Sequence, residues 1–380
     1  MKITRSLLTQ IRDSISPGRV VVLYGPRQVG KTTLVKDLLA ESRMRSLFVN
    51  ADEMVYREAL ASQSRQRLGE VLGDAELLVI DEAQRVAEIG LNLKILVDNF
   101  PQAAIIATGS ASFDLANKIS EPLTGRKLTF TLYPVSYGEI RNTFGAIEAR
   151  AQLERWLVWG GYPEIVATEN PVWRERLLGE LTGAYLYRDI LELEGVRRSD
   201  KLVDLLRLLA FQIGQEVSLA ELARSLGLNR VTVERYLDLL EKVFVIFKVG
   251  GFSRNLRKEI SKTARYYFYD NGVRNSLIQN FTPLAVRGDL GQLWENYLVV
   301  ERRKANQIAG LAANTYFWRT HDQKEIDYVE ERGGALYGYE FKWQSADIRK
   351  ATRMEFITTY PAAELAVVNR ENFEQFLGQV

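Results

Sequence analysis

At 380 residues, with 46% hydrophobic and 26% charged side chains, the chain is long enough for two to three domains with cores of their own. It has no cysteine and one histidine, His321, which excludes disulfides, thiolate zinc sites, cysteine nucleophiles and histidine-rich metal sites, and allows a Ser-His-Asp triad only around that residue. Lys plus Arg number 50 against 48 for Asp plus Glu, so bulk charge does not announce a nucleic-acid partner.

The first residues, 1–13, mix charged and apolar side chains and lack the apolar core and cleavage site of a secretory signal. No apolar run approaches the roughly 18 residues of a membrane helix. The expectation is a cytoplasmic chain with no membrane partner. Short apolar runs at 20–24, 47–49, 77–80, 103–107 and 128–132 alternate with helical patterns, such as 33–40 with Leu34, Val35, Leu38 and Leu39 on one face. Runs of this kind are typical of strands buried on both faces of a parallel sheet, so the first third reads as a five-stranded α/β core.

The first run ends in Gly25-Pro26-Arg27-Gln28-Val29-Gly30-Lys31-Thr32, followed by Thr33, a full match to GxxxxGK[ST] between a strand and a helix. Backbone N–H groups of such a loop, together with the helix N-terminus, present positive potential to phosphate oxygens. Lys31 would bridge the β and γ phosphates of ATP and Thr32 would coordinate Mg2+. Gly25 and Gly30 would let the backbone turn and approach the phosphates. The third run ends in Asp81-Glu82, at the strand tips where α/β folds bind ligands. Asp81 is the second candidate for Mg2+, and Glu82 the candidate general base for the attacking water. The fourth run ends in Thr108-Gly109-Ser110, and either hydroxyl could position that water. Arg126, before the fifth run, is a candidate arginine finger, in cis or in trans, the alternative being a surface ion pair. Action in trans would require a homo-oligomer. The candidate catalytic set is therefore Lys31, Glu82, Ser110 and Arg126.

Residues 145–250 read as mostly helical, broken at Gly160-Gly161-Tyr162-Pro163. Within them Ser218 and Glu221 form a capping-box pattern, Gly227-Leu228-Asn229 a tight turn, and 231–240 a second helix. With a hairpin at 243–251 this reads as a winged helix-turn-helix. Arg230, Thr232 and Arg235 would face DNA bases. A basic cluster with Arg254, Arg257, Lys258, Lys262 and Arg265, interleaved with aromatics at 266–269, would contact phosphates. The alternative is a module that packs or binds protein, since Glu234 and Asp238 dilute the positive face.

Strands return at 316–318, 325–329, 336–343 and 365–368, with a closing helix at 371–377. Asp327 lies in the second of these. Glu340 and Lys342 lie in the third and share one face, because side chains alternate along a strand. Two carboxylates and a lysine at a sheet edge could bind Mg2+ and activate water for phosphodiester cleavage. The helix predicted over 290–302 could add Glu295, and Glu301 falls on its apolar stripe, where burial would demand a partner.

Taken together, these stretches resemble a prokaryotic family of AAA-like P-loop ATPases. The resemblance rests on residues 25–33, Ile80-Asp81-Glu82-Ala83-Gln84, Thr108-Gly109-Ser110, Leu123-Thr124-Gly125-Arg126, Leu132-Tyr133-Pro134-Val135-Ser136-Tyr137-Gly138-Glu139 and Gly160-Gly161-Tyr162-Pro163-Glu164. It implies a P-loop core in which the strand before Thr108 lies between the Lys31 and Asp81 strands. It also implies a C-terminal domain of unknown function related to PD-(D/E)XK nucleases.

The expected fold is α/β: an AAA-like P-loop parallel-sheet ATPase core over 1–140, a helical lid and winged helix over 141–280, and an α/β nuclease-like domain over 281–380. The expected activity is hydrolysis of Mg-ATP, driving a switch on a partner, DNA being the leading one. The alternatives are an ATP-regulated metal-dependent nuclease and a non-hydrolysing, nucleotide-gated regulatory protein.

Overall fold

In the computed structural model, which describes residues 3–110, 123–192, 199–253 and 264–378, the apolar runs of the first third are strands. They are β1 (Val20–Tyr24), β2 (Ser46–Asn50), β3 (Leu77–Asp81), β4 (Ala104–Gly109) and β5 (Lys127–Thr131). All pair in parallel, in the order β2-β3-β4-β1-β5. β4 thus separates β1 from β3, the arrangement that the family resemblance implies. Every residue of β1, β3 and β4 is buried, because each has a neighbour on both sides and cover on both faces. β2 and β5 are the sheet edges, and here the expectation of full burial fails: both are partly exposed. The helix Lys31–Glu41 follows β1 and buries Leu34, Val35 and Leu38. A helix that the sequence reading did not mark, Leu7–Ser14, precedes β1 and buries Leu7 and Ile11.

The described chain divides into two units, residues 1–135 with 242–244, and residues 136–241 with 245–380. The second is built on a seven-stranded sheet. Its strands are β6 (Glu216–Val217), β7 (Ile246–Gly251), β8 (Ala264–Phe268), β9 (Asn314–Arg319), β10 (Glu325–Arg332), β11 (Ala335–Phe341) and β12 (Glu364–Val368). The order is β12-β11-β10-β9-β7-β8-β6. β7 and β8 form an antiparallel pair, and β7 also runs parallel to β9, with Gly250 opposite Tyr316 and Gly251 opposite Phe317. One continuous sheet therefore takes strands from both the 141–280 and the 281–380 ranges.

The helices Leu219–Leu226 and Arg230–Lys242 flank the predicted turn. Ser218 accepts the Glu221 N–H at 3.3 Å, Gly227 closes the first helix with φ at +63°, and Asn229 caps the second by accepting the Thr232 N–H at 2.7 Å. The Gly160-Gly161 break is a packing joint. A Cβ on Gly160 would lie 2.0 Å from Asp270 Oδ1, and Asp270 accepts the Gly161 N–H at 2.7 Å while capping the helix Asn271–Leu277.

The helix Leu290–Ile308 runs longer than predicted and carries buried charges on its stripe. Glu301 has the partners that its burial demands: it accepts Lys304 Nζ and the Tyr137 N–H, each at 2.7 Å. Arg302 forks onto both oxygens of Glu330 at 2.8 Å. No helix among the described residues is long and apolar enough to cross a membrane.

Candidate functional site

Because β4 lies between β1 and β3, the loop leaving β1 and the acid ending β3 face a common crevice at the strand tips. Thr32, in the first turn of the helix Lys31–Glu41, donates to Asp81 Oδ2 at 2.8 Å. Thr108, fully buried on β4, donates to the other oxygen, Oδ1. Lys31 is buried and donates to the carbonyls of Gly25 and Pro26 at 2.9 and 2.8 Å. Gly30 is the N-cap of the helix, and no side chain caps its first turn. The first-turn N–H groups are those a phosphate would take.

The reason for glycine at position 25 differs from the expected approach to phosphate. A Cβ there would stand 2.2 Å from the carbonyl oxygen of Leu132, whose N–H binds Tyr24 O at 2.7 Å. The loop is pinned against the chain that follows β5. Arg5, which sequence reasoning missed, pins it from the other side by donating to Val29 O at 2.7 Å and to Tyr133 O at 2.5 Å. No local pattern marks that residue, since its partners lie 24 and 128 positions away.

Glu82 takes up the left-handed region, φ 54° and ψ 38°, on leaving β3. Such a conformation is uncommon for a residue with a Cβ and persists only where the surroundings hold it. Its N–H points to Thr108 Oγ1 at 3.4 Å. Gln84 donates through Nε2 to Glu82 Oε2 at 2.5 Å and to Ser110 Oγ at 3.2 Å. The two hydroxyls that the sequence left open are thereby divided: Thr108 serves Asp81, and Ser110 joins Glu82 through Gln84. Sequence reasoning gave Gln84 no role, although an amide two residues after the acid was the available signal.

Arg126 departs from one of its two expected readings. Its carbonyl accepts the Val20 N–H at 3.0 Å, so it lies where β1 begins, while the phosphate loop leaves where β1 ends. A strand of this length spans about 16 Å. Its half-exposed side chain pairs with Asp98. Arg126 does not reach the loop of its own chain, which removes the reading in cis, and its exposed pair with Asp98 is the arrangement that the surface ion-pair alternative expects.

The second candidate site lies on the C-terminal strands. The antiparallel register pairs Tyr328 with Tyr339, and one step further sets Asp327 across from Glu340. The pairing of β10 with β9 slips between Ile326 and Val329, two residues on β10 facing one on β9. This is a β-bulge at Asp327, a device that re-aims a side chain. Asp327 Oδ2 accepts the Phe341 N–H at 2.8 Å, and Lys342 Nζ donates to Glu340 Oε1 at 2.8 Å. Glu340 Oε2 is buried with no hydrogen-bond partner.

Glu295 accepts Tyr267 OH at 2.7 Å and Arg265 Nη1 at 3.2 Å. Burial, reinforced by Glu325 and Glu340, pushes the Glu295 carboxyl up to about 7 against the pull of Arg265 and Tyr267. Burial and the charges of Glu295 and Glu340 likewise raise Asp327 well above the carboxylate range. The four sequence candidates Glu295, Asp327, Glu340 and Lys342 are thus brought together. Among the described residues, however, no three acid or histidine side chains are placed to hold a metal ion.

The expected DNA-contacting residues are divided. Arg230 is exposed and pairs with Glu234 at 3.0 Å, Arg235 is exposed, and the Thr232 N–H is used in the cap. Arg254, Arg257, Lys258 and Lys262 lie outside the described residues. Arg265 is a correction to the expected phosphate-binding cluster. It is 2% exposed, donates to Glu295, pairs with Glu325 at 2.8 Å and stacks 4.4 Å from the Phe317 ring centroid. Its aromatic neighbours on β8 are core residues.

Comparison with known proteins places residues 17–141 in a family described as an AAA domain. Residues 150–284 and 290–380 match two families described as domains of unknown function, DUF8612 and DUF4143. The uncharacterized protein Rv2008c of Mycobacterium tuberculosis is 32% identical, covering 96% of this chain and 79% of its own. The uncharacterized protein MJ1544 of Methanocaldococcus jannaschii is 24% identical, covering 84% and 74%. Among solved structures, the Thermotoga maritima RuvB Holliday junction branch migration motor matches at 17% identity and a TM-score of 0.33, over 65% of this chain and 90% of that one. The Pif1 helicase from Candida albicans matches at 12% identity and a TM-score of 0.27, over 48% of each. Carrying an AAA domain on its parallel sheet, the chain belongs to the family of the uncharacterized mycobacterial protein Rv2008c.

Proposed function

We propose that the chain is a Mg2+-dependent ATPase whose hydrolysis cycle drives a switch on a partner. The observation that carries this reading is the Thr32–Asp81 contact of 2.8 Å, which sets two oxygen ligands side by side at the mouth of the phosphate loop. These donors suit a hard divalent cation shared with phosphate oxygens. When bound, Mg2+ would neutralise charge between the outer phosphates. The chain's own residues supply the rest. Loop amides and Lys31 bind the phosphates, Thr108 orients Asp81, Glu82 accepts a proton from water, and Ser110 donates a hydrogen bond at the terminal phosphate. Arg126 acts in trans, in a homo-oligomer. Calorimetry with Mg-ATP and steady-state phosphate release test this, comparing wild type with Lys31→Ala and Glu82→Gln. Binding lost in the first variant, with turnover alone lost in the second, is the expected result. No ATP uptake by wild type sinks the reading, and uptake with turnover that Glu82→Gln leaves unchanged favours the regulatory alternative.

The partner in this reading is DNA, engaged through the helix pair Leu219–Leu226 and Arg230–Lys242, where Arg224, Arg230 and Arg235 are exposed. DNA that leaves the ATPase rate unchanged, together with ATP that leaves DNA affinity unchanged, would remove it. A specific observation favours a second activity. The bulge at Asp327 and the buried, unpartnered Glu340 Oε2 suit a PD-(D/E)XK-type nuclease site in which Asp327 and Glu340 would hold a divalent cation and Lys342 would stand beside it. Plasmid nicking in Mg2+ or Mn2+ that Asp327→Ala and Lys342→Ala abolish is its test, and nicking that both variants retain would end it.

A further inference from the structure

Gln84 stands on the short turn Ala83–Arg85 that follows the strained Glu82. Its side chain folds back instead of reaching solvent. One nitrogen, Nε2, donates to Glu82 Oε2 at 2.5 Å and to Ser110 Oγ at 3.2 Å. Both protons of that amide are then engaged. Its carbonyl oxygen Oε1 is buried with no hydrogen-bond partner, which is uncommon for a neutral acceptor and marks a place where a donor would bind favourably. Ser110 is 2% exposed and accepts from Gln84, so its own hydroxyl proton remains to be donated elsewhere. Thr108 is committed to Asp81 and cannot substitute. Glu82 and Ser110 come from the ends of different strands, β3 and β4, and this amide is the hydrogen-bonded link between their side chains.

We propose that Gln84 is a positioning residue for hydrolysis: it orients the Glu82 carboxylate and ties that orientation to Ser110, the hydroxyl that meets the terminal phosphate of a nucleoside triphosphate. Occupancy sensed at Ser110 is thereby transmitted to Glu82. The assignment rests on the ATPase reading above and deepens it. Gln84 touches neither phosphate nor metal, so its removal lowers turnover rather than nucleotide affinity.

The test is steady-state hydrolysis of Mg-ATP by the full chain, with affinity measured by calorimetry and folding by melting temperature. Gln84→Ala is expected to lower kcat by about 10- to 100-fold while KM and the calorimetric Kd for ATP stay within about twofold. Gln84→Glu keeps the volume, removes both donors and sets a carboxylate against Glu82. It is expected to melt with the wild type yet lose at least as much kcat, which a merely space-filling residue would not do. Ser110→Ala combined with Gln84→Ala should cost no more than the larger single loss, because the two act as one unit. Wild-type kcat in Gln84→Glu, or single losses that multiply in the double variant, overturns the proposal and leaves the ATPase reading intact. Wild-type turnover no higher than that of Lys31→Ala overturns both.

Discussion

At the tip of β3, Asp81 is held by two neutral hydroxyls, and among the described residues no cation pairs with it. On the C-terminal sheet, Glu295 and Glu325 are answered by the buried guanidinium of Arg265, Glu340 by Lys342, and Asp327 by a backbone N–H. Both regions set carboxylates at or near strand ends, the second adding Glu295 from the helix Leu290–Ile308. Among the described residues, one has no directly paired cation beside a loop of amide donors, and the other meets most of its charge from within, leaving Glu340 Oε2 without a hydrogen-bond partner. A site that takes a charged ligand needs the first arrangement. A site that closes on itself gains cohesion and gives up electrostatic drive toward an incoming ion.

The largest expected effects fall on the open site. Glu82→Gln should lower ATP turnover by about 10²- to 10⁴-fold with binding retained, as phosphate-release assays would show. Asp81→Asn should abolish Mg-dependent turnover yet change stability by about 1 kcal/mol or less in urea titration, because either hydroxyl can rotate to suit the amide. A large stability loss in Asp81→Asn would break the comparison. The reverse is expected on the C-terminal sheet. Arg265→Met leaves two buried or half-buried carboxylates without their cation, and should destabilise the protein by roughly 3–5 kcal/mol in the same titration. Arg265→Lys should restore part of that.

The closed site also predicts a pH dependence. Glu295 is raised from 4.5 to about 7. A carboxyl raised on folding binds its proton more tightly in the folded state. Its contribution is therefore full below the unfolded value and is lost as pH rises through the folded one. Asp327 is raised as well and acts with the same sign. The unfolding free energy from urea titration should fall between about pH 4.5 and pH 7, by at most about 3 kcal/mol for Glu295, and Glu295→Gln should flatten that slope. A free energy that rises over this range would show Glu295 ionised and stabilised by Arg265. The smallest effect concerns the Arg126–Asp98 pair. Arg126→Ala should cost less than about 1 kcal/mol of stability, since both partners are substantially exposed. If Arg126 acts in trans, the same variant should slow turnover only under conditions where the protein self-associates.

Several features were legible because a local pattern encodes them. The phosphate loop, the acid ending β3 and the turn Gly227-Leu228-Asn229 depend on neighbours within a few positions. The same holds for the buried strands β1, β3 and β4, whose unbroken apolar runs follow from cover on both faces. The edge strands were read as buried because an apolar run does not say how many neighbours it has. Arg265 was misread for a related reason. A basic residue among aromatics looks like a phosphate-binding surface in one dimension, and becomes a buried counter-ion once β8 is paired on both sides, with β7 and β6.

By itself, the sequence determined a nucleotide-type loop, its acidic partner strand and a helix pair, because those signals reside in spacing and periodicity. Only the tertiary structure decided which hydroxyl serves Asp81, that Gln84 joins Glu82 to Ser110, that Arg5 clamps the loop, and that Arg126 lies at the far end of its strand. Each of these depends on the order of strands in a sheet. That order is chosen by which faces the folded chain can bury together, and no window of neighbouring residues contains it.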